Sequence, residues 1–379
     1  MKTVRKIIVA VLIFLSLLVI AGIIFDLGYL IKGVQATYLQ GHKTAHIDDY
    51  PAFENRVIEA PEKSQPWPLH QNYNEVPPTP ELINLNQEYQ TVALLIIRND
   101  SLWYEDYVKP YGTSSYTNSF SMAKTIVTAL LGKAITDGFI ENLEQPVADF
   151  FPHFDKRLKV GDLASMASGL NWDENYHSPF SMTARAYFSN DIREQILGLT
   201  VVEAPGKEFE YLSGNTQLLG MVIEKAVGTT LSDYLSEEFW KPMGMQSDGL
   251  WQLDSKESGM EKAYCCIASN ARDFARFGKL YQDRGNWNGL QLLDSSFVAL
   301  SIQPRFKSSP EYGYGLWLTQ FDNREIFYLR GIHGQYVVVI PEDNLIVVRL
   351  GRRSEEQSDQ EKHPEDLYAY LEEVYKMLE

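Results

Sequence analysis

"SYTNSFSMAKTIVTALLGKAITDG", residues 115 to 138, is the stretch on which the reading of this chain turns. It predicts a helix of good formers from about Ser121 to Thr136, stopped at Asp137-Gly138. Ser121 and Lys124 stand three apart at its start, so on a helix they share one face, a turn apart. A serine hydroxyl is a poor nucleophile until a base lies within hydrogen-bond reach. A lysine serves as that base only if burial or a neighbouring cation lowers its pKa. The helix start adds unpaired N–H groups and the positive end of the macrodipole, both suited to a developing oxyanion. The tetrapeptide Ser-x-x-Lys occurs once in the chain. Taken alone it also fits an N-cap serine followed by a solvent-facing lysine.

The surroundings narrow the choice. The chain has 379 residues, 45% hydrophobic and 22% charged, enough for a large core in one or two domains. A net charge of −16 without a Lys/Arg block excludes nucleic acid as a partner, because phosphates would be repelled. Cys265 and Cys266 are neighbours, so they form neither a disulfide framework nor a spaced metal site. No metal or other cofactor is expected. At the N-terminus, "IIVAVLIFLSLLVIAGIIF", residues 7 to 25, is an apolar run. It would span roughly 28 Å as a helix, close to a ~30 Å hydrocarbon core. Lys2, Arg5 and Lys6 precede it, which keeps the N-terminus in the cytoplasm and sends the rest outside. The expectation is an uncleaved anchor over residues 1 to 30 that places the domain on the outer face of the cell inner membrane. A cleaved signal peptide is the alternative.

Residues 31 to 85 are polar and proline-rich, and predict an extension with little regular structure. "TVALLIIRND" and "SLWYEDYV" read as a β-hairpin turning at Asn99-Asp100. From about 140 to 295 the pattern is mainly helical with loops. Beyond 311, "YGYGLWLTQ", "EIFYLR", "QYVVVIP" and "LIVVRLG" predict an antiparallel meander, followed by a C-terminal helix. Strands at both ends with helices between imply an α+β domain over residues 86 to 379. One antiparallel sheet is completed by distant segments, and a helical subdomain is inserted. "FEYLSGNTQLLGMVIEKAVG" places Tyr211 just ahead of a helix, with Ser213 and Asn215 behind it. In "LRGIHGQYVVVIP", Gly331 and Gly334 let a substrate approach the backbone, so a strand N–H at Gln335 becomes a second oxyanion donor beside that of Ser121.

These pieces, in this order, closely resemble the penicillin-recognising serine hydrolases. They are similar to class C β-lactamases, related esterases and DD-peptidases, and most of all to the aminohexanoate-oligomer hydrolases. The resemblance covers about residues 85 to 350 and includes "LASMASGLNWDENY", "FWKPMGM", "SNARDFARFG" and "YGYGLW". It implies an α/β sandwich of the β-lactamase/transpeptidase type. It makes Ser121 the acylated nucleophile, Lys124 its partner and Tyr211 the group that passes protons to the leaving group and from water. The family's Tyr-x-Asn becomes Tyr211-Leu-Ser-Gly-Asn215, so either Ser213 or Asn215 takes the amide's place. The Lys-Thr-Gly box becomes Gly331-Ile-His-Gly-Gln335. With Ile332 at the lysine position the positive charge is gone, which disfavours β-lactams, unless His333 supplies a weak one. Tyr176 is a candidate substrate contact. The expected activity is hydrolysis of a small amide or ester through an acyl-enzyme. The rivals are a β-lactamase or DD-peptidase, and a non-catalytic envelope binding protein. Natural substrate and oligomeric state are not legible.

Overall fold

The computed structural model describes residues 27–354 and 362–379, with 4–7, 9, 10, 13 and 22 ahead of them. In chain order it runs through α1 (Gly28–Ala36), β1 (Asn55–Ile58), α2 (Pro80–Glu88), β2 (Thr91–Arg98), β3 (Ser101–Tyr107), β4 (Thr117–Asn118) and α3 (Met122–Thr136). It continues with α4 (Met182–Phe188), α5 (Ser213–Val227), β5 (Gly249–Gln252), β6 (Ile267–Ser269) and α6 (Ala271–Gln282). The last elements named here are β7 (Trp317–Phe321), β8 (Arg324–Gly331), β9 (Gln335–Ile340), β10 (Leu345–Gly351) and α7 (Glu365–Leu378). Shorter helices and a small hairpin fill the intervals.

The main sheet is antiparallel, in the order β3-β2-β10-β9-β8-β7. Its two halves come from opposite ends of the domain and meet where β2 pairs with β10. Asn99 and Asp100 turn the first hairpin with φ of 50° and 59°, as a tight two-residue loop requires. The inner strands are buried on both faces, which is why "TVALLIIR" and "QYVVVI" read as nearly unbroken apolar runs. Alternate residues feed two cores. Leu95, Ile97, Val337, Val339, Ile346 and Val348 face the layer that holds α3. Leu94, Ile96, Val338, Ile340 and Val347 face α2 and α7.

Helix α3 is mostly apolar, with 12 of its 15 residues buried, and so belongs at the centre of the molecule. Gly132 allows that packing, since a Cβ there would come within 2.6 Å of Leu293 and Phe297.

The interval 140 to 295, expected to be mainly helical, also contains β5, β6 and the small hairpin. These strands are too short to show an alternating pattern. The polar extension also carries more structure than its composition suggests. β1 adds to β5 in a second sheet, β1-β5-β6-β4, and α2 covers the main one. Asp49 is 3% exposed and accepts from Asn118 Nδ2 (3.0 Å), Tyr187 Oη (2.6 Å) and Gln252 Nε2 (3.1 Å). That one carboxylate joins the extension to β4, α4 and β5. Cys265 and Cys266, expected to form no framework, are bonded to each other, a link that ties no distant segments together. Among the described residues no helix is long and apolar enough to cross a membrane. The anchor expected over 7 to 25 lies largely outside the described residues.

Asp49→Ala leaves three buried donors without their acceptor, each worth about 1–3 kcal/mol. A loss of about 3 kcal/mol or more in denaturant-measured stability is expected. A loss below about 1 kcal/mol would show that Asp49 does not hold the extension in place.

Candidate active site

Strand β4 delivers the chain to Ser121 through a sharp corner. Ser119 N donates to Ile267 O (2.8 Å), and Phe120 N to Asn118 Oδ1 (2.9 Å). Phe120 then takes a φ of 44°, left-handed for a non-glycine residue, and Ser121 sits at the N-cap of α3. The fold holds this corner against its own backbone preference, as is common where a side chain is presented for chemistry.

Lys124 follows one turn later and is 2% exposed. Its Nζ lies 3.0 Å from Ser121 Oγ and donates to Tyr264 O at 2.9 Å. The rings of Tyr211 and Tyr264 stand 5.1 and 5.6 Å from the nitrogen. Burial lowers the Lys124 pKa from 10.5 to about 8, against the opposing field of Glu174. About a tenth of the molecules therefore carry the free amine at pH 7. The Tyr211 hydroxyl shares a hydrogen bond with Ser121, and burial raises its pKa, so the phenol stays neutral. The pair thus divides into a lysine able to accept a proton and a tyrosine able to give one.

Glu174 is the residue that sequence reasoning missed. Trp172 Nε1 (2.7 Å), Ser213 N (2.6 Å), Ser213 Oγ (2.6 Å) and the Tyr176 hydroxyl all donate to its carboxylate. It fastens the loop carrying Tyr176 to the start of α5. The only hint in the sequence is a carboxylate between two aromatics in "WDENY". Its main-chain and hydroxyl partner at Ser213 is 39 residues away.

Two cavities meet at Ser121. One is an apolar chamber of about 90 Å³ that includes Tyr176, Tyr187, Phe188 and Ser213. The other is a cleft of about 340 Å³ that includes Tyr211, Glu311, Trp317, Arg330 and Lys362. Tyr176 and Ile332 border both. A larger cavity, about 880 Å³, lies beyond Glu311 and contains none of Ser121, Lys124 or Tyr211, so the chemistry places the site in the smaller pair.

Of the expected residues, the fold brings Ser121, Lys124, Tyr211, Ser213 and Tyr176 together. Asn215 is not among them: it is wholly buried in α5, accepting from Ser168 Oγ and facing Met166. His333 also lies outside both cavities, its Nε2 3.1 Å from Ala45 O and its ring edge-on to Phe120. Burial lowers its pKa, so it supplies no cation. Gln335 is wholly buried and spends its side chain on Gly351 and Ile332 O. The residues of this segment that line the cleft beside Ser121 are Gly331 and Ile332. The reason is the turn after Ile332, where His333 (φ 63°) and Gly334 (φ 76°) swing the chain away and Arg349 Nη1 binds both carbonyls. The site is not stripped of positive charge either, because Arg330 lines the cleft with its guanidinium carbon 4.9 Å from the Trp317 ring centroid.

The β-lactamase family model matches residues 61–371. The chain belongs to the β-lactamase family. It is 24% identical over 297 residues to the 6-aminohexanoate-dimer hydrolase of Paenarthrobacter ureafaciens, covering 72% of this chain and 75% of that one. A Bacillus anthracis structure assigned as a 6-aminohexanoate-dimer hydrolase superposes with a TM-score of 0.74 at 19% identity, over 87% of this chain and 91% of the other. The octameric penicillin-binding protein homologue of Pyrococcus abyssi gives 0.58 at 18%, over 78% and 76%. Family membership makes the protein a β-lactamase-fold serine hydrolase.

Because the free amine is the form that accepts a proton, reactivity rises as pH passes upward through the Lys124 pKa. The rate of Ser121 labelling by a fluorophosphonate is expected to climb about tenfold from pH 7 and level off above about pH 9. A flat profile over that range would mean that Lys124 is not the base.

Proposed function

We propose that this protein hydrolyses small amides or esters through an acyl-enzyme on Ser121. As Oγ attacks the carbonyl carbon, its proton passes to the free amine of Lys124, 3.0 Å away. The oxyanion is held by the Ser121 N–H at the head of α3 and by main-chain N–H at Ile332. When the tetrahedral intermediate collapses, the Tyr211 hydroxyl gives its proton to the leaving amine or alcohol. The Lys124 ammonium then returns the proton it took from Ser121 to the Tyr211 phenolate beside it. Water then attacks the ester, returns Ser121 to its hydroxyl and releases the acid. The observation that carries this reading is the convergence of a desolvated lysine and a neutral tyrosine on one serine oxygen.

Ser121→Ala should abolish turnover and fluorophosphonate labelling while leaving the thermal midpoint nearly unchanged. Tyr211→Phe should cost about 10²–10⁴-fold in kcat on an amide. An ester should suffer less, because an alkoxide leaves without full protonation. A Tyr211→Phe enzyme within a few-fold of wild type on the amide would reduce Tyr211 to a pocket wall.

Arg330 favours a second reading, in which the substrate carries a carboxylate, as β-lactams and peptide C-termini do. Hydrolysis of a chromogenic cephalosporin, weakened by Arg330→Leu, would support it.

We further propose that residues 7 to 25 anchor the enzyme in the inner membrane with the catalytic domain outside. The length of the apolar run and the preceding Lys2, Arg5 and Lys6 support this. A reporter fused after residue 40 should be active only outside the cytoplasm, on a chain that keeps its N-terminus. Recovery of a chain beginning between about residues 22 and 40 would contradict it.

A further inference from the structure

The family match begins at residue 61, yet the segment before it reaches the substrate cavities. Thr44 and Ala45 form part of the wall of the apolar chamber. Ala45 is 9% exposed, and its carbonyl lies 3.1 Å from His333 Nε2, which fixes it beside Phe120. Another wall is α4, contributing Thr183, Ala184, Tyr187 and Phe188.

The same N-terminal segment holds that helix. Gly33 packs so closely that a Cβ would come within 3.2 Å of Phe188. Lys32 Nζ reaches past the end of α4 to donate to Asn190 Oδ1 (3.1 Å) and Asp254 O (2.6 Å). Phe53 meets the ring of Tyr187 edge-on at 5.5 Å, and Asp49 takes the Tyr187 hydroxyl. Both walls of the chamber therefore depend on residues 32 to 53.

The direction of the substrate follows from Tyr211. The atom that leaves must receive a proton, and Tyr211 borders the cleft but not the chamber. The leaving group then lies in the cleft, and the acyl part points the other way. Among the described residues no charged side chain lines the chamber, so a charged acyl group would lose its hydration there without compensation. At about 90 Å³, and about 30 Å³ per packed water-sized group, the space holds about three such groups beyond the carbonyl carbon.

We propose that the chamber binds a short, uncharged acyl group and that Ala45, outside the family domain, sets its length. This rests on Ser121 being the nucleophile. The test uses the full chain in detergent with 4-nitrophenyl esters from acetyl to decanoyl, and with acetyl esters of alcohols of increasing length. Wild-type kcat/KM should rise to about butanoyl and then fall. Ala45→Leu should lower the butanoyl-to-acetyl ratio about tenfold or more. Ala45→Gly, which cannot overpack the site, should raise the hexanoyl-to-butanoyl ratio. Labelling rates with alkyl fluorophosphonates of matched length should show the same ratios without turnover. An acyl-length profile unchanged in both variants overturns the proposal, and so does a shift that follows the alcohol chain instead. Failure of the underlying reading looks different: Ser121→Ala would then keep hydrolysing the esters.

Discussion

A lysine buried beside a serine, with no carboxylate bonded to it among the described residues, is the constraint on which this site depends. Lys124 Nζ touches a hydroxyl, a carbonyl and two aromatic rings, and these neutral partners offset only part of the cost of burying a full positive charge. Glu174 eases that cost only through its field, since its oxygens serve Trp172, Tyr176 and Ser213. An ion pair at Nζ would favour the ammonium and remove the base. The carboxylate is close enough to order the loop, yet it is not bonded to the amine.

Keeping Lys124 dry takes the whole architecture. Helix α3 is buried on every side, so it needs a sheet on one flank and the helical layer on the other. The sheet itself closes only when β10 returns to pair with β2. Ser121 remains half-buried at the end of this helix because the left-handed Phe120 corner lifts it out of the core. The extension then seals the far side through Asp49, Phe53 and Ala45, which links the chain that follows the apolar N-terminal run to the wall of the substrate chamber.

Much of this was legible in the sequence because it was local. The Asn99-Asp100 hairpin, the α3 boundaries and the i, i+3 pairing of Ser121 with Lys124 each depend on a few adjacent residues. What was not legible depends on distant contacts. Glu174 gains its role from Ser213, and Asn215 loses its expected role to Ser168. Gln335 does not line the cleft, whereas Gly331 and Ile332 do, because nothing in "GIHGQ" shows that the chain bends away after Ile332. The missing lysine of the Lys-Thr-Gly box suggested a neutral pocket, whereas Arg330 enters from the strand before the turn. Proline-rich polarity in residues 31 to 85 concealed β1 and α2, which are held by pairing and packing rather than by propensity.

The most direct test of the account is the ionisation of Lys124 itself. In full-length protein labelled with [¹³Cε]lysine, the Lys124 resonance, assigned by its loss in Lys124→Met, can be followed from pH 6 to 11. The account predicts a titration centred near 8, well below that of the surface lysines. A Lys124 that remains an ammonium up to pH 10 would contradict it.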